Sequence, residues 1–148
     1  MTTALGATWE LQKALKTVLS ADATLIALLK DGANSVLDDV PEDEQFPYLT
    51  IGDIVSDENE TSTELGLVHQ VTVNVWAKRT EGPAGSLGYE GRKTVRDILT
   101  AVDNVLNHEL LTLTGYTNVN LMFQFAQVFR DDDDLYHGVA RYRAVTQP

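Results

Sequence analysis

The sequence predicts an α+β fold in a single domain over residues 1–148. We expect a mixed four-stranded sheet, built from two hairpins that a long crossover helix joins, with N-terminal helices packed on one face. Two patterns predict this class: apolar residues recur at helical spacing from Val95 to Leu106, and they alternate with polar residues from Val71 to Val75. The order of segments (helix, helix, strand, strand, helix, strand, strand) then places one helix between the hairpins.

The N-terminal part of the chain predicts two helices. Leu11, Leu15 and Leu19 recur at helical spacing with charged residues between them. Asp22 can cap a second, shorter helix, and Gly32 is a candidate for its end because glycine commonly follows a helix C-terminus.

The middle of the chain predicts the first hairpin and the crossover helix. The ranges 48–55 and 65–77 are predicted strands, and the polar, acidic segment between them, Ser56–Glu64, is predicted to be a flexible loop or hairpin tip. Lys78–Gly88 holds three glycines and a proline, which predicts a second mobile loop before the helix that contains the apolar stripe.

The C-terminal part predicts the second hairpin. Residues 119–125 alternate as a third strand, residues 131–134 are four aspartates in a charged turn, and residues 136–146 form the last strand. On that strand Arg141 and Arg143 share a face with Val139 and Val145. Such a basic pair suits either a solvated sheet exterior or a subunit interface, and the pattern does not choose between them.

Composition excludes several classes of function. The formal net charge is −11, with 11 basic against 22 acidic residues, and this argues against an electrostatic grip on nucleic acid. The chain has no cysteine, so disulfides and thiolate metal sites are excluded. No apolar run approaches the ~20 residues of a membrane helix, and we expect no membrane partner.

A search for chemistry finds no catalytic, cofactor-binding or metal-binding site. None of the three histidines, at positions 69, 108 and 137, belongs to a catalytic motif, so we expect surface or packing roles. Four consecutive aspartates cannot converge on one cation as an EF-hand loop does. The glycines at 82, 85, 88 and 91 precede a helix, but no Gly-Lys-Ser/Thr triplet follows them, so a phosphate loop is not indicated.

Several stretches in a fixed order resemble the tail terminator, or tail completion, proteins of long-tailed phages and gene transfer agents. They cover nearly the whole chain: LQKALKTVLSADA from Leu11, Val40-Pro41 before Phe46-Pro47-Tyr48, HQVTVNVW from His69, the helix at 92–106, and the ending at 130–143.

The resemblance implies a structural protein and not an enzyme. Such proteins form a ring, usually a hexamer, that caps the head-proximal end of the tail tube, stops its growth and joins the head–tail connector. The implied partners are further copies of the chain, the tail tube protein and the connector protein, with DNA passing through the lumen without specific binding. The implied location is the virion tail, after assembly in the host cytoplasm.

Two other function classes stay open from the residues alone. One is a head-completion protein or neck connector adaptor, which would also be oligomeric but would not bind the tail tube. The other is a small-ligand module or an enzyme that uses the glycine-rich region before the helix.

Two sets of charged residues are the candidate partner or subunit interface. The acidic set lies in the Ser56–Glu64 segment and comprises Asp57, Glu58, Glu60 and Glu64; the basic set is Arg141 and Arg143. We expect the acidic segment to contact a partner on assembly, although an ordinary solvated hairpin tip would have the same composition. The acidic surplus also suits a lumen that repels DNA within a Debye length of ~8 Å, or simply solubility.

Overall fold

A computed structural model describes residues 4–60, 65–78, 90–131 and 135–147. Its helices are α1 (Ala4–Ala21), α2 (Ala23–Leu28) and α3 (Glu90–Leu106), with a short 3-10 helix at Gly32–Ser35. Its strands are β1 (Val36–Leu37), β2 (Tyr48–Ile51), β3 (Val55–Glu60), β4 (Leu65–Lys78), β5 (Leu110–Leu113), β6 (Tyr116–Asn120), β7 (Met122–Arg130) and β8 (Leu135–Thr146).

The predicted α+β class is confirmed, and the sheet is larger than the four strands expected. Within the described ranges it has six strands in the order β1-β2-β4-β8-β7, with β3 also paired to β4. The β1–β2 pair is parallel and the other pairs are antiparallel, so the sheet is mixed. Strands β5 and β6 form a separate two-stranded hairpin.

The expected loop at Ser56–Glu64 is wrong for its first half. Residues 55–60 form β3 and pair with the beginning of β4 from Val55–Gln70 to Glu60–Leu65, while residues 61–64 lie outside the described part. Strand β4 has 14 residues, which is long enough to hold β2 beside one half and β3 beside the other. The predicted strand at 48–55 is therefore two shorter strands, separated by residues 52–54.

Two further boundaries differ from expectation. Helix α2 begins at the Asp22 cap as predicted, because the Asp22 carboxylate accepts a hydrogen bond of 2.9 Å from the Leu25 amide, but it ends at Leu28, with Leu29 extended. Gly32, with φ +59°, begins the following 3-10 helix. The predicted loop at 78–88 lies outside the described part apart from Lys78, which ends β4.

The core lies between the helices and one face of the sheet. The side chains of Leu11, Leu15 and Leu19 on α1 are fully buried, as are Val71, Val73 and Val75 on β4, and α3 contributes its apolar stripe. The largest fully buried side chain is Tyr142 on β8, whose hydroxyl donates a 2.8 Å hydrogen bond to Asp103 on α3. Burial and this carboxylate raise the pKa of Tyr142, so the phenol stays neutral and joins helix to sheet.

None of the helices among the described residues combines the length and the apolarity that a membrane crossing requires.

Candidate assembly surface

Strand β8 divides the sheet into two faces with different surroundings. Its even-numbered residues, from Tyr136 to Thr146, are buried, and Gly138 among them faces Val95 and Leu99 of α3. Its odd-numbered residues, from Leu135 to Val145, are half-buried on the face opposite α3. We call this second face the open face. It also carries the even-numbered residues of β4, which stand beside the odd-numbered residues of β8.

Arg141 and Arg143 lie on the open face, as the alternation predicts. The Arg141 guanidinium stands 5.0 Å from the ring centre of Phe125 on β7. Its Nε atom is buried, and no acceptor among the described atoms lies within hydrogen-bond distance. Among the described residues, no carboxylate lies within 4.0 Å of either guanidinium, and the ion pairs that are present join other residues. Within the described part of the chain, no ion pair neutralises the positive charge of the two arginines.

An aromatic cluster stands further along the same face. The rings of Trp76 and His137 stack with centres 3.7 Å apart, and Phe129 approaches His137 at 4.7 Å. The Nε2–H of His137 donates a 2.7 Å hydrogen bond to Asn74 Oδ1. Burial lowers the pKa of His137, against the opposing effect of Asp131, and so favours a neutral ring. Aromatic residues with arginine are the side chains that protein–protein interfaces enrich.

The acidic residues of β3 lie in a hairpin whose last residues extend past β8. The last pair between β4 and β8 joins Leu67 to Thr146, whereas β3–β4 pairing continues to Glu60 and Leu65. We call residues 57–60 and 65–68 the hairpin arm. Asp57 is exposed in this arm, and Glu58 and Glu60 are placed there by register. Glu64 lies outside the described residues.

The structure thus brings the predicted acidic and basic residues into one sheet without joining them. Asp57 pairs with Val68, which pairs with Val145, so Asp57 belongs to the open face that also carries Arg143. The two residues are separated by two strand spacings of ~4.8 Å and by two positions along the strand. At that separation they share an electrostatic surface but make no ion pair with each other.

Strand β7 contributes an exposed apolar edge that the alternation did not predict. Met122, Phe123 and Phe125 are each 40–44% exposed. A bulge between Phe123 and Phe125 breaks the register with β8, so Phe123 stands opposite Tyr142 and Phe125 opposite Arg141, on different faces. The predicted strand at 119–125 is in fact divided at the buried Leu121 between β6 and β7. The run from Met122 to Phe129 has no charged residue and no proline, and this was the available signal. Sheet edges are usually protected by charge or proline, so this run forms an unprotected edge.

His69 is a packing residue at the centre of a buried hydrogen-bond network. Its Nδ1 lies 2.7 Å from the Ser56 hydroxyl and its Nε2 lies 2.8 Å from the Thr146 hydroxyl, while Thr8 on α1 lies 2.7 Å from Ser56. His69 has no exposed surface, and burial lowers its pKa. A serine beside a histidine can be a nucleophile and its base. Here, however, the pair lies in the core, where it connects α1, β3, β4 and β8.

The helix start that follows the glycine-rich segment is built for packing. Gly91 lies in the first turn of α3 against the ring of Tyr136, and an added Cβ would stand 2.3 Å from the ring. The glycines at 82, 85 and 88, like residues 132–134 of the aspartate run, are outside the described part. Among the residues that are described, no group of three or more metal-ligating side chains converges.

Comparison with known proteins agrees with the resemblance found in the sequence. Residues 13–147 match the family model described as "Tail completion protein gp17". The tail completion protein gp17 of Bacillus phage SPP1 is 28% identical over 138 residues, which cover 92% of this chain and 95% of the relative. A chain in the solved virion of a native gene transfer agent particle superposes with a TM-score of 0.78 and 25% identity, and covers 100% of both chains.

Proposed function

This chain belongs to the family of tail completion proteins described as gp17, and from that premise we propose that it is a structural tail terminator. In this proposal, copies of the chain form a hexameric ring at the head-proximal end of the tail tube. The ring stops tube growth and joins the tail to the head–tail connector. The chain acts as one domain over residues 1–148, in the virion tail, after assembly in the host cytoplasm.

The observation that carries this proposal is the full-length match to a chain of a gene transfer agent virion. That match covers every element of the fold, so it supports a role for the whole chain in such a particle. The family match over residues 13–147 supports tail completion as that role. Work of this kind needs surfaces for partners and no catalytic centre, and the open face, the hairpin arm and the β7 edge are candidates for those surfaces.

The charge of the chain supports passage of DNA without specific binding. Acidic residues outnumber basic residues by 22 to 11 over the sequence. Phosphate contacts need clustered lysine and arginine, and an acidic surface repels the DNA backbone within a Debye length of ~8 Å. We therefore expect the assembled ring to bind duplex DNA weakly at physiological salt, which a gel-shift titration measures.

Electron microscopy of the purified chain with isolated tail tubes tests the proposal. We expect rings in projection and a ring-shaped cap at one end of each tube, and tubes that grow past their normal length when the chain is left out. The proposal is wrong if the chain stays monomeric and leaves tube ends unoccupied. Binding to the connector but never to the tube would instead indicate a neck adaptor.

A further inference from the structure

Two sets of opposite charge stand on this chain and form no ion pair with each other among the described atoms. The open face carries Arg141 and Arg143, and the hairpin arm carries Asp57, Glu58 and Glu60. We propose that the hairpin arm of one copy docks on the arginine pair of the neighbouring copy, as a heterologous contact that repeats around the assembly. This inference rests on the proposed ring and names the contact that closes it.

The arginine side has the features of an incomplete site. The Arg141 Nε is a buried donor with no acceptor among the described atoms, and leaving such a group unpaired is unfavourable. Phe125 supports the guanidinium from one side at 5.0 Å. Arginine binds carboxylates through a planar fork of donors, and Arg143 stands two residues along the same face. A carboxylate from outside the chain would neutralise both side chains.

The acidic side has the reach that such a contact needs. The hairpin arm extends past the last β4–β8 pair at Leu67 and Thr146, so its end is not held between neighbouring strands. Residues 57–60, Asp-Glu-Asn-Glu, carry three carboxylates and no apolar side chain that would gain from burial in the chain's own core. The end of the arm, residues 59–60 beside residues 65–66, is therefore a short extension beyond β8 that includes Glu60.

The end of the arm cannot turn back onto its own arginines. Glu60 pairs with Leu65 and Arg143 pairs with Gln70, so the two residues are five positions and two strands apart in one sheet. With a rise of ~3.4 Å per residue and ~4.8 Å between strands, their Cα atoms are separated by about 20 Å. The β-ladder holds that distance, so Glu60 does not reach Arg143 of its own copy.

A second copy of the chain is the occupant that the charges favour. Each copy carries a net charge of −11, so two copies repel each other unless opposite charges meet at their contact. The arginine pair is basic and lies on the open face, whereas residues 57–60 of the arm include three acidic residues, with Asp57 on the open face and Glu58 and Glu60 on the other face by register. A heterologous contact between them repeats from copy to copy and closes into a ring when the rotation allows it.

Charge reversal on each side, followed by mixing, tests the contact. One variant carries Asp57→Lys, Glu58→Lys and Glu60→Lys, and a second carries Arg141→Glu and Arg143→Glu. Each variant alone should assemble at least about tenfold more weakly than the parent, because like charges now meet at every contact. A mixture of the two variants should assemble again, since each reversed arm finds a reversed face. The matched control, Lys93→Glu with Arg96→Glu on exposed positions of α3, should assemble as the parent does.

Disulfide trapping identifies the neighbours directly, because the natural chain has no cysteine. Glu60→Cys with Arg143→Cys should give a ladder of covalent multimers on oxidation, and each single variant should give dimers at most. A disulfide needs Cα atoms within about 7 Å, so the intrachain separation excludes an internal bond. Both experiments use free assemblies if the parent assembles in solution, and otherwise copies assembled on tail tubes.

The outcomes separate this inference from the proposed function. Two results would contradict the arm–arginine contact while the parent still caps tubes. Either the single-sided variants assemble normally, or the mixture fails to assemble although circular dichroism shows each variant to be folded. In both cases the terminator role stands. Loss of tube binding by the arm variant, together with absence of the covalent ladder, would make the tube the arm's partner and also overturn the inference. If the parent neither assembles nor caps tubes, the proposed function itself fails.

Discussion

Replacing Gly138 with alanine tests the distance between β8 and α3, on which the whole helix–sheet core depends. An added Cβ would stand 2.4 Å from Val95 Cγ1 and 2.9 Å from Leu99 Cδ1. Both distances are far below the roughly 3.5–4.0 Å at which two carbon atoms make a favourable contact. Val95 and Leu99 are one turn apart on the same helix, so one rotamer change cannot relieve both contacts.

The expected cost of Gly138→Ala is about 1–2 kcal/mol of the free energy of unfolding. Overpacking of this kind costs about 1–3 kcal/mol. Gly138 is not among the glycines with positive φ, so alanine adopts its backbone conformation without strain and stabilises by about 0.4–1 kcal/mol through the unfolded chain. The steric term is larger than the entropic term, and the sign is therefore destabilising.

A double-mutant cycle with Val95→Ala isolates the contact. Val95→Ala alone should cost about 2 kcal/mol through lost burial and a cavity. The double variant should be about 1–2 kcal/mol more stable than the sum of the single effects, because the new Cβ occupies space that Val95 leaves. Urea denaturation followed by circular dichroism measures all four proteins, and Val139→Ala on the open face is the control for a change on the same strand. Additive effects, or a Gly138→Ala protein as stable as the parent, would show that the helix does not pack this closely.

Three further predictions concern stability. Leu99→Ala should lower the free energy of unfolding, measured by urea denaturation, by about 2–3 kcal/mol. This is the low end for buried leucine truncations, because Leu99 borders a cleft of about 200 Å³ that is open to solvent. A cost near zero would contradict its packing against β8. Because burial lowers the pKa of His69 and of His137 below the usual ~6.5, the unfolded chain binds more protons than the folded chain. Stability should therefore be full at about pH 7.5 and fall towards about pH 5.5, and His69→Gln should reduce this slope. Asp22→Ala removes the cap of α2 and should cost about 1 kcal/mol of stability, whereas Asp22→Asn should be closer to the parent. Equal losses in both variants would point to the charge and not to the cap.

Local periodicity was enough to predict the elements that carry their own apolar pattern. The α3 residues Val95, Ile98, Val102 and Leu106 are all fully buried, as the helical stripe indicated. The alternation on β4 placed its valines in the core, and the acidic side chain at position 22 caps α2. In each case the signal and the structure lie within the same ten to twenty residues.

Strand β3 was missed because its stability comes from a partner and not from its own residues. The sequence from Val55 to Glu60 is polar, and nothing in it resembles a buried strand. It is a strand because its backbone pairs with the beginning of β4, which is long enough to extend beyond β8. Polar segments give no local sign of such pairing, since the hydrogen bonds are made by the backbone and not by the side chains.

The candidate assembly surface was predicted in part. The alternation on β8 was sufficient to place Arg141 and Arg143 on one face, and the acidic run was visible in the sequence. The strand order and register decide three further points: this face lies opposite α3, Asp57 shares it, and the two charges stay apart. The exposed Phe123 and Phe125 escaped prediction because one bulge against β8 reverses the side-chain alternation.

The sequence by itself determined the α+β class, the buried helix stripe, the valine strand, the absence of cysteine chemistry, and the order of motifs that identifies the family. Only the tertiary structure decided the six-stranded order, the closely packed glycines at 91 and 138, the buried His69 network and the projection of the hairpin arm. The physical reason is the range of the interactions. Side-chain periodicity reports which face of a segment avoids water, whereas the partner of that face, and of every unpaired backbone group, is set by residues tens of positions away.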